Sequence, residues 1–148
     1  MRVKTQKIYK AKAIGQENYQ VAIEARDHSV MVDEPAPIGD NAGMTPMELL
    51  LGALSGCKSI VFKATAKKLK TVYTRLEIEV EGDFDSAGYM GDPTVPIGFS
   101  EIRTTYHIET EAPKEDIETL IAFVESHCPV AATIEVAPVM RSILKYND

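Results

Sequence analysis

Two cysteines are the residues of this 148-residue chain whose type can do nucleophilic or redox chemistry. Cys57 lies in the middle of a long apolar stretch, and Cys128 stands between His127 and Pro129. A thiol attacks only as the thiolate, so the surroundings of each sulfur decide whether it reacts. Proline suits the first helical position and disfavours a helical residue before it, which puts Cys128 at or just before the start of a short helix, 129–134. Backbone N–H groups at such a start favour a thiolate. Cys57 reads equally well as an inert thiol in a tightly packed interior, because free cysteine is among the most buried residue types.

Other chemistries find little support. A metal site would need Cys57, Cys128 and a histidine, yet the chain has no C-x-x-C or H-x-x-x-H spacing, and the contiguous His127-Cys128 pair is not a zinc pattern. We therefore expect neither metal nor cofactor. Glycine-rich phosphate loops and nucleophilic serine elbows are absent. A formal charge of -6 with no basic run argues against nucleic acid. The opening MRVKTQKIYKAKAI has charged residues spaced throughout and no apolar core, so no signal peptide is expected. That points to the cytoplasm, where two cysteines serve as thiols and not as a staple. His28 reads as a turn residue and His107 as a solvent-facing strand residue. Glu77, Glu79 and Glu81 read as a wet strand face lacking the loop of a calcium site.

The elements that must position the thiols follow from periodicity. Residues 1–148 suffice for a single domain with its own core. The stretch 45–70 predicts one long helix, with Thr45 as N-cap, Pro46 at the first position and Glu48 completing a capping box. It is apolar nearly all round, which predicts burial on every side. It falls short of the uninterrupted apolar length of a membrane span, being broken by Glu48, Lys58 and Lys63. Gly52 and Gly56 each cost a helix about 1 kcal/mol relative to alanine. With Ala53 and Ser55 they form a smooth patch where another backbone, such as the same helix of a second copy, can approach. Before this helix we expect strands at 3–14, 19–25 and 29–33, then a Pro- and Gly-rich loop over 34–44. After it come strands at 76–81 and 102–109, separated by a loop over 85–96 of a length that often borders a site. Helices from Pro113 to His127 and over 129–134 and a last strand at 140–146 complete the order βββαββααβ. This is an α+β fold, with helices segregated on one face of antiparallel sheet.

The stretch Gly43-Met-Thr45-Pro46-Met-Glu48-Leu-Leu-Leu-Gly-Ala-Leu-Ser-Gly-Cys57, taken with His127-Cys128-Pro129-Val130, resembles the OsmC/Ohr family of osmotically induced and organic hydroperoxide resistance proteins. The Gly88-Tyr89-Met90-Gly91 loop and the Pro-Ile-Gly-Phe stretch after it are similar to a less characterised OsmC-like branch. The resemblance implies an intertwined homodimer with the long helices at its centre. It also implies thiol-dependent reduction of organic hydroperoxides at the subunit interface, in defence against oxidative stress. Cys57 would be the peroxidatic thiol and Cys128 the resolving one, with a thiol reductant restoring both. Active members of the family use an arginine of the N-terminal hairpin and a glutamate directly after the helix-opening proline. Here Gln16-Glu17-Asn18 occupies the hairpin turn and Met47 follows Pro46. Glu48 comes one residue late, roughly half a turn from Cys57 at about 100° per residue. Those departures favour a second reading, a non-catalytic relative that binds a small apolar ligand in the interface cleft.

Overall fold

Thr45 and Glu48 close a reciprocal cap at the head of the long helix. The Thr45 backbone N–H donates to the Glu48 carboxylate at 2.7 Å, and the Glu48 N–H donates to the Thr45 hydroxyl at 3.2 Å. Two donors that the first turn would leave orphaned are thus satisfied. The helix that follows, α1, runs Pro46–Leu69, within a residue of its expected limits at either end. The computed structural model describes residues 5–147 and divides near Leu50 into two compact units.

In the first unit, β1 (Lys12–Gly15), β2 (Val21–Ala25) and β3 (His28–Val32) form an antiparallel sheet in that order. The strand expected over 3–14 is shorter than predicted. Residues 3 and 4 lie outside the described residues, and 5–11 form no strand. The loop from Asp33 to Met44 is held by one buried carboxylate. Asp33 accepts the backbone N–H groups of Glu34, Asp40 and Ala42 at 2.8, 3.1 and 3.0 Å. Gly39 is required here, because a Cβ at that position would lie 2.3 Å from the Glu34 carbonyl oxygen. The loop closes with Met44 bridged to Val32, which delivers Thr45 to the cap.

In the second unit, β4 (Arg75–Asp83) and β5 (Glu101–Glu109) pair antiparallel. Their inner face pairs Leu76 with Ile108, Ile78 with Tyr106 and Val80 with Thr104. The outer face is ionic: Arg103 grips Asp83 with two bonds of 2.7 Å and Glu81 with one of 3.0 Å, while Arg75 spans Glu77 and Glu109. The loop between the strands contains a single turn of helix, α2 (Ser86–Tyr89), capped by the Asp85 carboxylate. Helices α3 (Lys114–His127) and α4 (Pro129–Glu135) meet at Cys128. Phe62 and Ala66 of α1 pack with Leu120 and Val124 of α3 as the core, and the Tyr73 ring meets Phe62 edge-on at 5.3 Å.

Four further expectations need correction. Among the described residues the strands form two sheets, of three and two strands, and not one. The predicted last strand at 140–146 is absent: among the described residues that stretch forms no strand, and Val139, Met140, Ile143 and Leu144 are exposed. A strand without a neighbour leaves its backbone donors and acceptors to water, so apolar alternation alone does not make one. Nor is α1 buried on every side. Leu54, Lys58, Phe62, Thr65 and Ala66 form its buried stripe, whereas Gly52, Gly56 and Ile60 are exposed, with no heavy atom within 4 Å of where a Cβ would stand on either glycine. By length and composition α1 is also apolar enough to cross a membrane, contrary to the sequence expectation. Its buried stripe nevertheless packs on α3 and places Lys58 in an ion pair, as a core helix does. What stands is a mixed α/β fold of antiparallel sheets and helices.

Candidate functional site

The two thiols come together although they are far apart in sequence. Leu54, Cys128 and Ala131 form a buried cluster, and Cys57, Val80, Ile102 and Val130 pack against it. Cys128 is 1% exposed, while Cys57 is half-buried and the more accessible sulfur. The first turn of α4 serves both. The Ala131 N–H donates to the Cys128 sulfur at 3.5 Å, and the Val130 N–H and the Cys128 thiol both act electrostatically on the Cys57 sulfur. These N–H groups belong to the set that a helix start cannot satisfy internally. The sequence placed such donors at Cys128 but did not foresee that Cys57 shares them.

Burial pushes the Cys57 thiol above its ordinary value, the Val130 N–H pulls against that, and the neighbouring Cys128 pushes it further up. Among the described residues neither an arginine nor a lysine is one of the groups acting on it, so their balance favours the thiol form over the thiolate.

Beside the thiols lies a polar cluster that sequence reasoning passed over. Lys58, the residue after Cys57, is 4% exposed, and its ammonium donates to both oxygens of Glu125 at 2.8 and 3.0 Å and to the Thr104 hydroxyl at 2.7 Å. The Tyr106 hydroxyl donates a short hydrogen bond to Glu125. Burial works against the charge on Glu125, yet Lys58 and Tyr106 together outweigh it and hold the carboxyl below its ordinary value. Burial, then the Glu125 carboxylate, raise the Tyr106 phenol far enough to keep it protonated. These four side chains line a cleft of about 480 Å³ whose apolar wall includes Leu54, Ile102 and Ile134. The sequence did carry a signal: Lys58 lies four residues from both Leu54 and Phe62, on the stripe that had to be inside.

The histidines do not join the thiols. The His127 ring stacks on Phe123 with centroids 3.9 Å apart, and its Nδ1 lies 2.8 Å from the Ser126 hydroxyl. His107 faces Glu79 on the outer face of the β4–β5 pair, and His28 begins β3, exposed. Among the described residues no three His, Cys, Asp or Glu side chains are gathered to hold a metal.

A family model described as OsmC-like protein matches residues 39–142 of this chain. Solved structures match over nearly the whole length. An OsmC-like protein from Mycoplasma pneumoniae gives a TM-score of 0.79 at 20% identity, covering 90% of this chain and 91% of that one. An organic hydroperoxide resistance protein OsmC from Legionella pneumophila gives 0.65 at 20% identity, covering 88% and 91%. An OsmC-like hydroperoxide resistance protein from Jannaschia sp. CCS1 gives 0.58 at 22% identity, covering 92% and 91%. None of the curated proteins matches this sequence. At such identities the structural likeness establishes the fold.

Proposed function

This chain belongs to the OsmC-like family, and from that membership we propose that it reduces organic hydroperoxides through Cys57 and Cys128, as part of oxidative stress defence in the cytoplasm. The observation that carries the proposal is the meeting of a half-open and a buried thiol over one helix start. The Cys57 thiolate attacks one oxygen of the O–O bond. That bond breaks, the alkoxide leaves and takes a proton as an alcohol, and Cys57 becomes a sulfenic acid. The Cys128 sulfur then attacks the Cys57 sulfur, displacing the oxygen as water and closing a disulfide. An external thiol reductant returns two electrons. The protein acts as a homodimer in this reading, because the exposed Gly52, Gly56 and Ile60 face of α1 suits the same helix of a second copy.

One observation favours a second reading. A thiol raised by burial, with no cation among the described residues acting on it, suits a wall residue, and the adjoining cleft would then take a small apolar ligand. Treatment with cumene hydroperoxide followed by mass spectrometry separates the two. A peroxidase forms a Cys57–Cys128 disulfide that is absent from Cys57→Ser and from Cys128→Ser. A folded wild type whose Cys57 stays reduced under excess hydroperoxide refutes the first reading and leaves the second.

A further inference from the structure

We propose that the ion pair between buried Lys58 and half-exposed Glu125 is the positioning device of the thiol pair, setting how readily Cys57 and Cys128 bond to one another. The proposal rests on the reading of these cysteines as a redox pair. Each partner of the ion pair is tied by its backbone to one thiol. Lys58 directly follows Cys57 within α1, and Glu125 lies three residues before Cys128 in the last turn of α3. The Cys128 N–H still donates to the Val124 carbonyl at 3.0 Å, so Cys128 moves with that turn. A contact between Lys58 and Glu125 therefore fixes the segment carrying one sulfur against the segment carrying the other.

The geometry is over-determined at both ends. The Lys58 ammonium has three donors, and all are used, two on Glu125 and one on Thr104. Glu125 is held in turn by Tyr106 from β5. A lysine side chain only 5% exposed is costly to bury, and apolar residues of similar volume often serve stability as well or better. What apolar contact lacks is direction: it lets α1 and α3 slide by fractions of an ångström, whereas three short hydrogen bonds do not. A disulfide demands a narrow range of sulfur–sulfur approach and dihedral angle, so its formation is sensitive to such sliding.

The test uses glutathione, so that it does not depend on peroxide chemistry. Cys57 thiolate attacks glutathione disulfide and expels one glutathione thiolate; Cys128 thiolate then attacks the Cys57 sulfur and expels the second. Two electrons leave the protein, and two glutathiones are formed. Titration across glutathione ratios gives the effective concentration of one thiol toward the other. In Lys58→Met/Glu125→Leu we expect a urea midpoint at or above the wild type but an effective concentration lowered at least tenfold, a rise of about 30 mV in potential. Glu125→Gln is expected to show a smaller fall in the same direction. Lys114→Met removes the exposed Lys114–Glu118 pair on the same helix and is expected to change nothing. A folded double variant with wild-type effective concentration overturns the proposal; if that variant does not fold, Glu125→Gln decides on the same measure. A wild type that forms no Cys57–Cys128 disulfide at any glutathione ratio also overturns it. A wild type that forms the disulfide with glutathione but ignores hydroperoxide overturns the peroxidase reading alone.

Discussion

The Cys57 sulfur feels the backbone N–H of Val130, one residue before the Ala131 N–H that serves Cys128. One helix start thus supports two sulfurs, and it does not overcome the burial that raises Cys57 above its ordinary 9.0. The thiolate fraction of a group titrating above neutrality grows about tenfold per pH unit until its pKa is reached. Reaction of Cys57 with iodoacetamide in Cys128→Ser should therefore climb steadily from neutrality past pH 9, and so should its oxidation by hydroperoxide. A plateau below about pH 8 would show an activated thiol and contradict this account.

Gly56 faces open space in the chain, so Gly56→Leu meets no heavy atom within 4 Å of the new Cβ. Leucine is also the better helix former by up to about 1 kcal/mol. The folded chain should accept the change while self-association weakens. Sedimentation reads both effects. A wild type that is monomeric at micromolar concentration removes the dimer, and a variant that associates as before removes this face from it.

Asp33 supports the loop before α1 through three backbone N–H groups, led by that of Ala42, and its carboxyl lies below the ordinary 3.8. Its folded value is depressed, so its contribution to stability is present above the unfolded value and is lost as pH falls through the folded one. Asp33→Asn should lower the thermal midpoint by several degrees near neutrality. The gap between variant and wild type should narrow as pH falls from about 6 toward 2. A gap that does not change with pH would mean that the carboxylate charge is irrelevant there.

Thr45→Ala removes the hydroxyl that accepts the Glu48 N–H. Loss of such a cap costs about 1 kcal/mol. Urea denaturation should show that loss with an unchanged slope, and Thr45→Ser should restore most of it.

Strong local signals made most elements legible. Thr45-Pro46 with Glu48 marked the helix start to within a residue, and the alternation Leu76-Glu-Ile78-Glu-Val80 marked which face of β4 is inside. Signals that depend on a neighbour were not legible. The stretch from Met140 to Tyr146 read as a strand, but a strand exists only where a second one runs beside it. At the site, both cysteines stood out by type, and Cys128-Pro129 gave the local geometry. Lys58 was hidden because a lysine in an apolar helix reads as an interruption until its partners Glu125 and Thr104, from elements distant in sequence, come into view.

The charges on the outer face of β4 and β5 carry one more consequence, for how the chain avoids an error. The connection over residues 84–100 is far too long to dictate how the two strands line up, as a tight turn would. A slip of two residues keeps every side chain on its proper face, so hydrophobic burial hardly opposes it. The native register sets Arg75 opposite Glu109 and Arg103 opposite Glu81, two unlike pairs against the one like pair Asp83–Glu101. A slip in one direction would set Glu77 against Glu109, and in the other Glu81 against Glu101, and either leaves Arg103 as the only arginine facing an acid within the paired strands. Like charges directly opposite destabilise a strand pair. Gly82 adds a steric check, since the Phe99 ring occupies the space of its missing Cβ at 2.6 Å. Residues that look like mere solubilising decoration thus act as the reading frame of the hairpin, keeping Thr104 and Tyr106 opposite Val80 and Ile78 when the chain first folds.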